Sequence, residues 1–442
     1  MNARSPSSVV SGPVAPGRRV YLIDGARTPF LKARGAPGPF TPVDLAVQCG
    51  RPLLLRQPFA PDAFDQVILG CVNVIADEQN PARVAALRLG CGPEMTAFTV
   101  AINCGSGMQS IDTAYRYIRE GSSDLILAGG AEALSHAPLV LKQSAVEWLS
   151  SLQGAKAPID KVKAMAGFRP DMLQPVVGLE RGLTDPITDL DMGQTAEVLA
   201  HYFDLSREAA DAYAVESHQR LAKAQSAGWL SGEVEPAFAR DGTIYDHDDG
   251  VRPDSSVETL ATLKPAFERP FGKVTPGNSS QITDGASWVI LASEEAVRKH
   301  GLKPRAVILD SEWAALDPSI MGLGPVLAST PLLQRAGLQL QDIELWELNE
   351  AFAVQVLACL AAWEDEGFCR EVLGLPGAAG AIDRDRLNVD GGAVSLGHPV
   401  GASGNRIVLH LINTLERLDL KRGIATECIG GGQGGAMLIE RV

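Results

Sequence analysis

At 442 residues the chain exceeds what one hydrophobic core usually organises, so we expect two or three domains. A formal net charge of −14 excludes a general nucleic-acid-binding protein, because phosphate backbones require a basic surface, and any anionic ligand must meet local positive groups. Charged residues at 21%, with 45 glycines and 28 prolines, are typical of a soluble α/β enzyme with many turns.

No segment approaches the roughly 18 consecutive apolar residues of a membrane-spanning helix. The seven cysteines are scattered and lack metal-type spacing such as C-x-x-C, which favours a reducing cytosol and no metal site. Residues 1–18 are rich in Ser, Pro and Val but lack the apolar core of a secretion signal. We therefore expect a disordered N-terminal tail and a cytoplasmic protein.

The first half of the chain alternates between strand and helix patterns. A strand begins at residue 20 and breaks at Arg27, and it is followed by a helix at 42–54, a strand at 66–69 and a helix at 81–89. This alternation predicts a mainly parallel sheet covered by helices.

Cys104 lies where a strand passes into a helix. The strand at 96–102 is almost continuously apolar, and apolar side chains between residues 108 and 118 recur every three or four positions until Gly121. A helix N-terminus favours the thiolate, and two flanking glycines leave the sulfur accessible. Two interpretations remain open at this point, a reactive nucleophile or a small buried hydrophobic residue.

The alternation breaks between residues 136 and 274, a proline-rich stretch with helices predicted at 192–203 and 207–227. We interpret it as an inserted loop domain, a lid or substrate-binding unit. Within it, an apolar stripe over residues 145–152 precedes three lysines. This stripe is either a helix packed on the parent domain or a docking surface for a membrane or a partner.

The alternation then resumes to the end of the chain. Strands are predicted at 287–292, 306–309, 343–347 and 423–427, with helices at 294–300, 329–336, 351–362 and 403–418. In both halves a Ser-Gly pair opens a helix that leads to a strand ending in two glycines. We infer a duplicated unit with the insertion between its copies. The division is residues 19–135, 136–274 and 275–442.

Polar residues in the second half concentrate in loops, at 349–352, 391–404 and 428–435. His398, held by a following proline in a glycine-rich loop, is a candidate general base. His410 lies on an apolar helix face and is interpreted as a packed core residue.

Cys428 precedes a glycine run whose N–H groups can converge. It is a candidate for proton transfer beside an oxyanion site.

Together these motifs resemble the thiolase family from residue 20 to the C-terminus. The resemblance implies an α/β thiolase fold, two similar halves that each have a mixed sheet covered by helices, plus an inserted loop domain. It also implies acyl transfer between 3-ketoacyl-CoA and coenzyme A, or the reverse Claisen condensation of acetyl-CoA. Coenzyme A would be a substrate, and no metal or redox cofactor would be needed.

The resemblance assigns roles to five residues. Cys104 would accept the acyl group, His398 would activate it, and Cys428 would serve as the acid and base. Asn349 would hold a water that forms one oxyanion hole with His398. The N–H groups of Cys104 and Gly430 would form the other.

For coenzyme A, Arg252 and Ser280 match family positions that contact its nucleotide and pantetheine parts. Met192 matches a methionine that lines the acyl pocket. Asp191 departs from the pattern, since short-chain biosynthetic members often have histidine there.

Residues 139–183 form a longer segment than in compact tetrameric thiolases and look more like the thiolase subunits of fatty-acid-oxidation complexes. Those subunits usually carry histidine in place of Asn349, so the subgroup is mixed. Expected partners are acyl-CoA and coenzyme A, a second copy in a homodimer or homotetramer, and a possible fatty-acid-oxidation subunit. Nucleic acid is not among them.

Two alternatives belong to other classes. A related condensing enzyme would usually pair one cysteine with two histidines or with histidine and asparagine, and Cys428 argues against it. A degenerate lipid-binding or scaffold protein would be favoured by loss of Cys104 or His398, and both are present.

Overall fold

The structure is a computed structural model that describes residues 17–442. The tail predicted at residues 1–18 lies almost entirely outside them. The strands are β1 (Val20–Arg27), β2 (Leu31–Lys32), β3 (Gln66–Gly70), β4 (Thr96–Val100), β5 (Leu125–Ala133), β6 (Leu139–Val140), β7 (Val176–Val177), β8 (Ala237–Phe238), β9 (Ile244–Tyr245), β10 (Thr283–Ser293), β11 (Ala306–Ala315), β12 (Leu345–Leu348), β13 (Arg422–Ile429) and β14 (Gln433–Arg441).

The helices are α1 (Pro42–Leu55), α2 (Pro81–Arg88), α3 (Ser106–Glu120), α4 (Gln143–Gly154), α5 (Pro158–Ala166), α6 (Gly178–Gly182), α7 (Met192–Tyr202), α8 (Arg207–Ser226), α9 (Val257–Ala261), α10 (Glu294–His300), α11 (Gly324–Ala336), α12 (Ala353–Glu364), α13 (Glu366–Glu371), α14 (Ala393–Leu396) and α15 (Val400–Arg417). The helices and strands predicted in the two halves are present with their ends shifted by a few residues, whereas β14 was not predicted. None of the helices within residues 17–442 is long and apolar enough to cross a membrane.

One mixed sheet runs through the protein in the order β12-β13-β14-β11-β1-β10-β5-β3-β4, with β2 paired to β10. The pairs β3–β4, β3–β5 and β12–β13 are parallel, and the other pairs of this sheet are antiparallel. The prediction of a mainly parallel sheet is therefore wrong. The physical reason lies in the connections. β14 follows β13 through a tight turn, and β10 follows the inserted domain, so neither strand is reached by the single helical crossover that joins parallel neighbours.

The two halves repeat the same element order, which confirms the inferred duplication. The first copy runs β1-α1-β3-α2-β4-α3-β5-β10, and the second runs β11-α11-β12-α12-α15-β13-β14. A single bridge between Trp346 and Leu387 takes the place of the strand that corresponds to β4. The two copies meet at the centre of the sheet, where β1 pairs with β11.

The insertion lies inside the first copy rather than between the copies, because β10 pairs with β1 and β5 after the chain returns. The proposed division at residue 275 placed β10 in the C-terminal half, whereas β10 pairs with two strands of the N-terminal half. Within the insertion, the two predicted helices are α7 and α8.

Helices α3 and α15 cross in close contact on one face of the sheet. A Cβ atom on Gly107 would lie 2.7 Å from the backbone N of Asn405, and one on Gly404 would lie 2.6 Å from the backbone N of Met108. The crossing therefore requires glycine at both positions. It brings together the start of α3, which Cys104 precedes, and the start of α15, which His398 precedes.

Candidate active site

Cys104 lies in a tight turn between β4 and α3. Asn103 adopts a φ of 47°, a left-handed conformation that asparagine tolerates. The hydroxyl of Ser106 accepts a hydrogen bond from the Ile102 N–H at 2.9 Å and donates one to the Asn103 carbonyl at 2.7 Å. Cys104 is half-buried, whereas the other six cysteines are buried. It is therefore the cysteine that a substrate can reach.

The sulfur of Cys104 rests as a neutral thiol. Burial raises its pKa to about 12, against the opposing effect of the Gly430 N–H that faces it. The direction of this shift opposes the expectation that the helix start favours the thiolate, because the loss of hydration acts against the backbone donors. Attack by this sulfur needs a base that takes its proton.

His398 is oriented by its own loop. Its Nδ1 lies 2.6 Å from the hydroxyl of Ser403, which itself donates to the Pro399 carbonyl at 3.3 Å. This arrangement assigns the ring proton to Nδ1 and leaves the lone pair on Nε2. Nε2 is buried and has no hydrogen-bond partner within residues 17–442.

Burial and then the charge of Arg406 lower the pKa of His398 to about 4. The imidazole is therefore neutral at pH 7 and able to accept a proton. Sequence reasoning did not connect Ser403 with His398, although its position five residues after His398, in the first turn of α15, is a usable signal.

Cys428 and Gly430 lie at the end of β13. Cys428 is buried, and burial followed by the neighbouring Cys104 sulfur raises the pKa of its thiol well above the ordinary value. Gly431 and Gly432 have φ values of 90° and 77° and make the tight turn into β14.

The side chain of Asn103 links the loops of the two cysteines. Its Nδ2 donates to the Gly430 carbonyl at 2.8 Å. The sequence analysis missed this residue. An asparagine between a strand and a helix, where a left-handed turn is needed, is the signal that identifies it.

Asn349 is fully buried directly after β12. Its backbone N–H donates to the Thr426 carbonyl at 2.9 Å, but neither atom of its side-chain amide has a partner in the described part of the chain. Buried amides are normally hydrogen-bonded, so this amide is suited to hold a ligand or a water.

A cleft of about 1040 Å³ contains several of the predicted residues. Cys104, His398, Gly430, Ser280 and Met192 line it. Cys428 and Asn349 are buried and do not line it.

Arg252 is exposed outside this lining, where its backbone N–H donates to Nδ1 of His218 at 3.1 Å.

The insertion supplies much of the cleft wall. Lys142 and residues 174–187 line it, whereas α4 and α5 do not. The two ends of the 139–183 segment therefore face the cleft. The interpretation of this segment as a docking surface did not predict this contact. Asp191 also lines the cleft and caps α7, exchanging hydrogen bonds reciprocally with Gln194. This capping accounts for an acidic residue at that position.

His410 is buried, as the sequence suggested, but its surroundings are charged rather than apolar. Its Nδ1 lies 2.9 Å from Glu233, and its Nε2 lies 3.4 Å from Asp390 and 3.8 Å from Glu347. Burial alone lowers its pKa, but the acidic neighbours outweigh burial and raise the pKa to about 10.

Comparison with known proteins decides the family. Residues 20–295 match the family "Thiolase, N-terminal domain" and residues 302–441 match "Thiolase, C-terminal domain". The chain belongs to the thiolase family. The N-terminal match extends through β10, in agreement with the pairing of that strand.

Relatives match nearly the whole of this thiolase. It is 40% identical over 430 residues to the beta-ketoadipyl-CoA thiolase of Pseudomonas aeruginosa, covering 96% of this chain and 100% of the relative. It is 36% identical over 424 residues to the bovine mitochondrial trifunctional enzyme subunit beta, covering 96% and 88%. The crystal structure of human mitochondrial 3-ketoacyl-CoA thiolase in complex with CoA is similar with a TM-score of 0.82 and 35% identity, covering 96% and 98%.

The protein is thus an acyltransferase that exchanges acyl groups between acyl-CoA and coenzyme A. The alternative of a related condensing enzyme is not favoured, because these relatives are named as thiolases.

Proposed function

We propose that the thiolase cleaves 3-ketoacyl-CoA through an acyl group carried on Cys104. The observation that carries this proposal is the cleft itself, where the most accessible cysteine, the free lone pair of His398 and the N–H of Gly430 converge. The chemistry needs no metal or redox cofactor, and coenzyme A enters as a substrate.

The first half-reaction forms the acyl-enzyme. As the Cys104 sulfur attacks C3 of the substrate, its proton passes to Nε2 of His398. The C2–C3 bond breaks, the electron pair stays on C2, and Cys428 donates its proton to that carbon. Acetyl-CoA leaves, and the remaining acyl group is bound to Cys104 as a thioester.

The second half-reaction regenerates the enzyme. The thiol of coenzyme A gives its proton to the Cys428 thiolate and attacks the thioester carbonyl. The Cys104 sulfur leaves and recovers its proton from His398. The reverse sequence condenses two acetyl-CoA molecules.

Two oxyanion holes are part of the proposal. The N–H groups of Cys104 and Gly430 would hold the oxygen of the acyl group. A water on Asn349, together with His398, would hold the enolate oxygen. The unpaired, buried amide of Asn349 supports this role.

Ser280 and Met192 are proposed to contact the pantetheine and the acyl chain, and their place in the cleft lining supports this. Arg252 is proposed to meet the phosphates of coenzyme A. Support comes from Lys32, whose pKa is lowered by burial and by the charges of Arg252 and Arg34. Arg252 therefore lies near two other cations, and Asp249 offsets part of their charge through its ion pair with Arg34 at 2.9 Å.

The test is acylation followed by a substrate series. The protein is mixed with acetyl-CoA, quenched in acid and digested, and we expect the acyl group on Cys104. Label on another cysteine, with Cys104 unmodified, would refute the assignment. Thiolysis rates for 3-ketoacyl-CoA substrates of increasing length then define the substrate class, and beta-ketoadipyl-CoA is included because one relative is named for it.

Homo-oligomerisation is also proposed, as a dimer or tetramer. β4 is an edge strand whose outer side pairs with no other strand of residues 17–442, and its side chains are only partly buried. An edge of this kind favours pairing with a second copy. Light scattering coupled to size-exclusion chromatography measures the state. The proposed compartment is the cytoplasm, which the cysteine spacing supports.

The helical hairpin of α4 and α5 is proposed to dock a partner subunit of a fatty-acid-oxidation assembly. Ile159, Val162 and Met165 are exposed by 60%, 61% and 63%, which is unusual for apolar side chains on one short helix. The Trp148 indole of α4 donates to the Ala164 carbonyl of α5 at 2.9 Å, so the two helices contact each other directly. The apolar face of α5 remains exposed to solvent. A relative named as a trifunctional enzyme subunit supports this occupant.

A further inference from the structure

Behind the active site, two acidic side chains and one arginine share a buried space. Glu347 on β12, Glu427 on β13 and Arg406 on α15 are each at most 2% exposed. Glu347 is in register with Ala425, so Glu427 lies two residues further along the neighbouring strand and projects to the same face of the sheet. α15 covers this face and carries Arg406 above both carboxyl groups.

The hydrogen bonds in this space are incomplete. Nη1 of Arg406 donates to Oε2 of Glu347 at 3.2 Å. Nε of Arg406, Oε1 of Glu347 and both carboxyl oxygens of Glu427 have no hydrogen-bond partner among the residues described. A Cβ atom on Gly404 would lie 2.2 Å from Oε1 of Glu427, so this carboxyl group sits at the crossing of α3 and α15, beneath the turn that carries Cys104.

Other acidic groups near Glu347 already have partners. Asp390 is paired with Arg417 and lies 3.4 Å from Nε2 of His410. Glu350 accepts hydrogen bonds from Tyr213, Ser217, Asn388 and the Val394 N–H.

His410 is shared between Glu233 at 2.9 Å and Asp390, and its Nε2 is 3.8 Å from Glu347. On the active-site side, Glu132 accepts backbone hydrogen bonds from residues 72, 73 and 401. His410 therefore offsets part of the charge of Glu347 from 3.8 Å, but Arg406 is the one cation that hydrogen-bonds to Glu347 and the one positive charge that acts on Glu427.

One guanidinium balances one carboxylate. A second ionised carboxylate in the same buried space would be uncompensated, which is expensive, so one of the two groups keeps its proton. Glu427, with both oxygens unpaired, is the group that keeps it. In agreement, burial raises the pKa of Glu347 to about 7 and that of Glu427 well above its ordinary value.

We propose that Glu347 and Glu427 share the single positive charge of Arg406 and hold one proton between them, and that this proton fixes the charge facing the active site. Ionisation of Glu427 would raise the pKa of Cys104 and Cys428 and offset the charge of Arg406 at His398. Glu427 is thus a positioning residue. The effect of Glu427 on catalysis rests on the function proposed above. The sharing of one proton between Glu347 and Glu427 does not depend on that function.

The first test is a stability cycle measured by urea unfolding at pH 7. Glu347→Gln and Glu427→Gln should each fold, because the remaining carboxyl group takes the charge. The double variant should lose far more stability than the sum of the single losses, because Arg406 then has no counter-charge. Adding Arg406→Met to the double variant should restore stability. Additive losses, or no restoration by Arg406→Met, would overturn the shared charge.

The second test reads the proton directly. The infrared band of a protonated buried carboxyl group should be present in the wild-type protein at pH 7 and reduced in Glu427→Gln. Equal bands in the two proteins would contradict the assignment.

In thiolysis assays, kcat of the wild-type protein should fall at alkaline pH as Glu427 ionises. In Glu427→Gln this fall should occur at higher pH, while the KM for coenzyme A is unchanged. An unmoved profile would refute the effect on the active site but leave the thiolase function standing. Absence of Cys104 acylation in the wild-type protein would refute that function independently.

Discussion

Cys104 and His398 rest as a neutral thiol and a neutral imidazole, since burial disfavours the charged form of each. In the proposed mechanism, the charges appear only when the sulfur attacks and its proton passes to Nε2 of His398. A buried site with fixed donors stabilises such charges without reorganising water. In that mechanism both groups become charged only when substrate is bound, and a thiol reacts more slowly with oxidants than a thiolate does.

Cys428→Ala should separate the two cysteines by role. Loss of a positioned acid and base typically costs about 10²–10⁴-fold, so C–C cleavage and condensation should fall by that factor. Acylation of Cys104 by a simple acyl thioester should fall much less, because it needs only His398. Hydrogen exchange at C2 of acetyl-CoA measures the missing proton transfer. Exchange at the wild-type rate would contradict the role of Cys428, and Cys91→Ala is the matched buried-cysteine control.

His410→Leu should destabilise the protein in a pH-dependent way. Glu233 keeps Arg27 and Asp390 keeps Arg417, but removing the His410 cation leaves one buried negative charge of this cluster uncompensated, which typically costs about 3–5 kcal/mol. Because the pKa of His410 is raised from 6.5 to about 10, its stabilisation is complete below pH 6.5 and is lost as the pH rises through about 10. Urea unfolding at pH 6, 8 and 10 should show a difference in the free energy of unfolding between the wild-type protein and His410→Leu that decreases as the pH rises. A difference of constant size would refute the charged state of His410.

At the scale of elements, the crossing of α3 and α15 fixes the positions of the loops that carry Cys104 and His398. Each helix starts beside the cleft, and each contributes one glycine to the contact, Gly107 and Gly404. Because backbone meets backbone there, no side chain can rearrange to admit an extra methyl group.

Gly107→Ala should therefore push the two helices apart. Overpacking of this kind typically costs about 1–3 kcal/mol. We also expect at least a tenfold loss of kcat/KM, since misplacement by about 1 Å can cost 10²-fold. Gly154→Ala is the control, because a Cβ atom there meets nothing within 4 Å and the residue is also helical. Wild-type kinetics in Gly107→Ala would show that the crossing does not position the site.

Removal of the α4–α5 hairpin tests its role as a docking surface. Residues 143–168 are replaced by a short Gly-Ser linker, which spares Lys142 and residues 174–187 in the cleft wall. Thiolysis of acetoacetyl-CoA should persist, while co-purification of a partner subunit should be lost.

Two further measurements sharpen this test. A milder variant with Ser at Ile159, Val162 and Met165 should give the same loss of the partner. Binding of the intact protein to anionic vesicles, removed by either change, would assign the surface to a lipid instead. A folded hairpin deletion without activity would show that the hairpin serves catalysis.

At the scale of the whole molecule, the active site exists because two copies of one unit face each other. Cys104 comes from the first copy, and His398 and Cys428 come from the second. The β1–β11 pairing and the helix crossing join the copies, so the site forms only when both halves have folded and packed. The insertion then closes the cleft from the side with residues 174–187.

Local patterns in the amino-acid sequence were sufficient to predict most of the helices and strands and the motifs of the site. Apolar periodicity around Cys104 predicted the strand and the amphipathic helix, and the recurrence of the Ser-Gly pattern predicted the duplication. These features are local, because capping residues and side-chain spacing act within a few positions of the chain. The order of the motifs at Cys104, Asn349, His398 and Cys428 was sufficient to recognise the family.

The contacts between distant residues, and the protonation states that follow from these contacts, could not be predicted in this way. The neutral thiol of Cys104, the charged His410 and the unpaired Glu427 depend on desolvation and on charges contributed by distant segments. The position of β10 inside the first copy is likewise a matter of long-range strand pairing. The periodicity of the sequence carries no information about protonation states or about the pairing of β10. Both are set by residues that are neighbours in space and not in sequence.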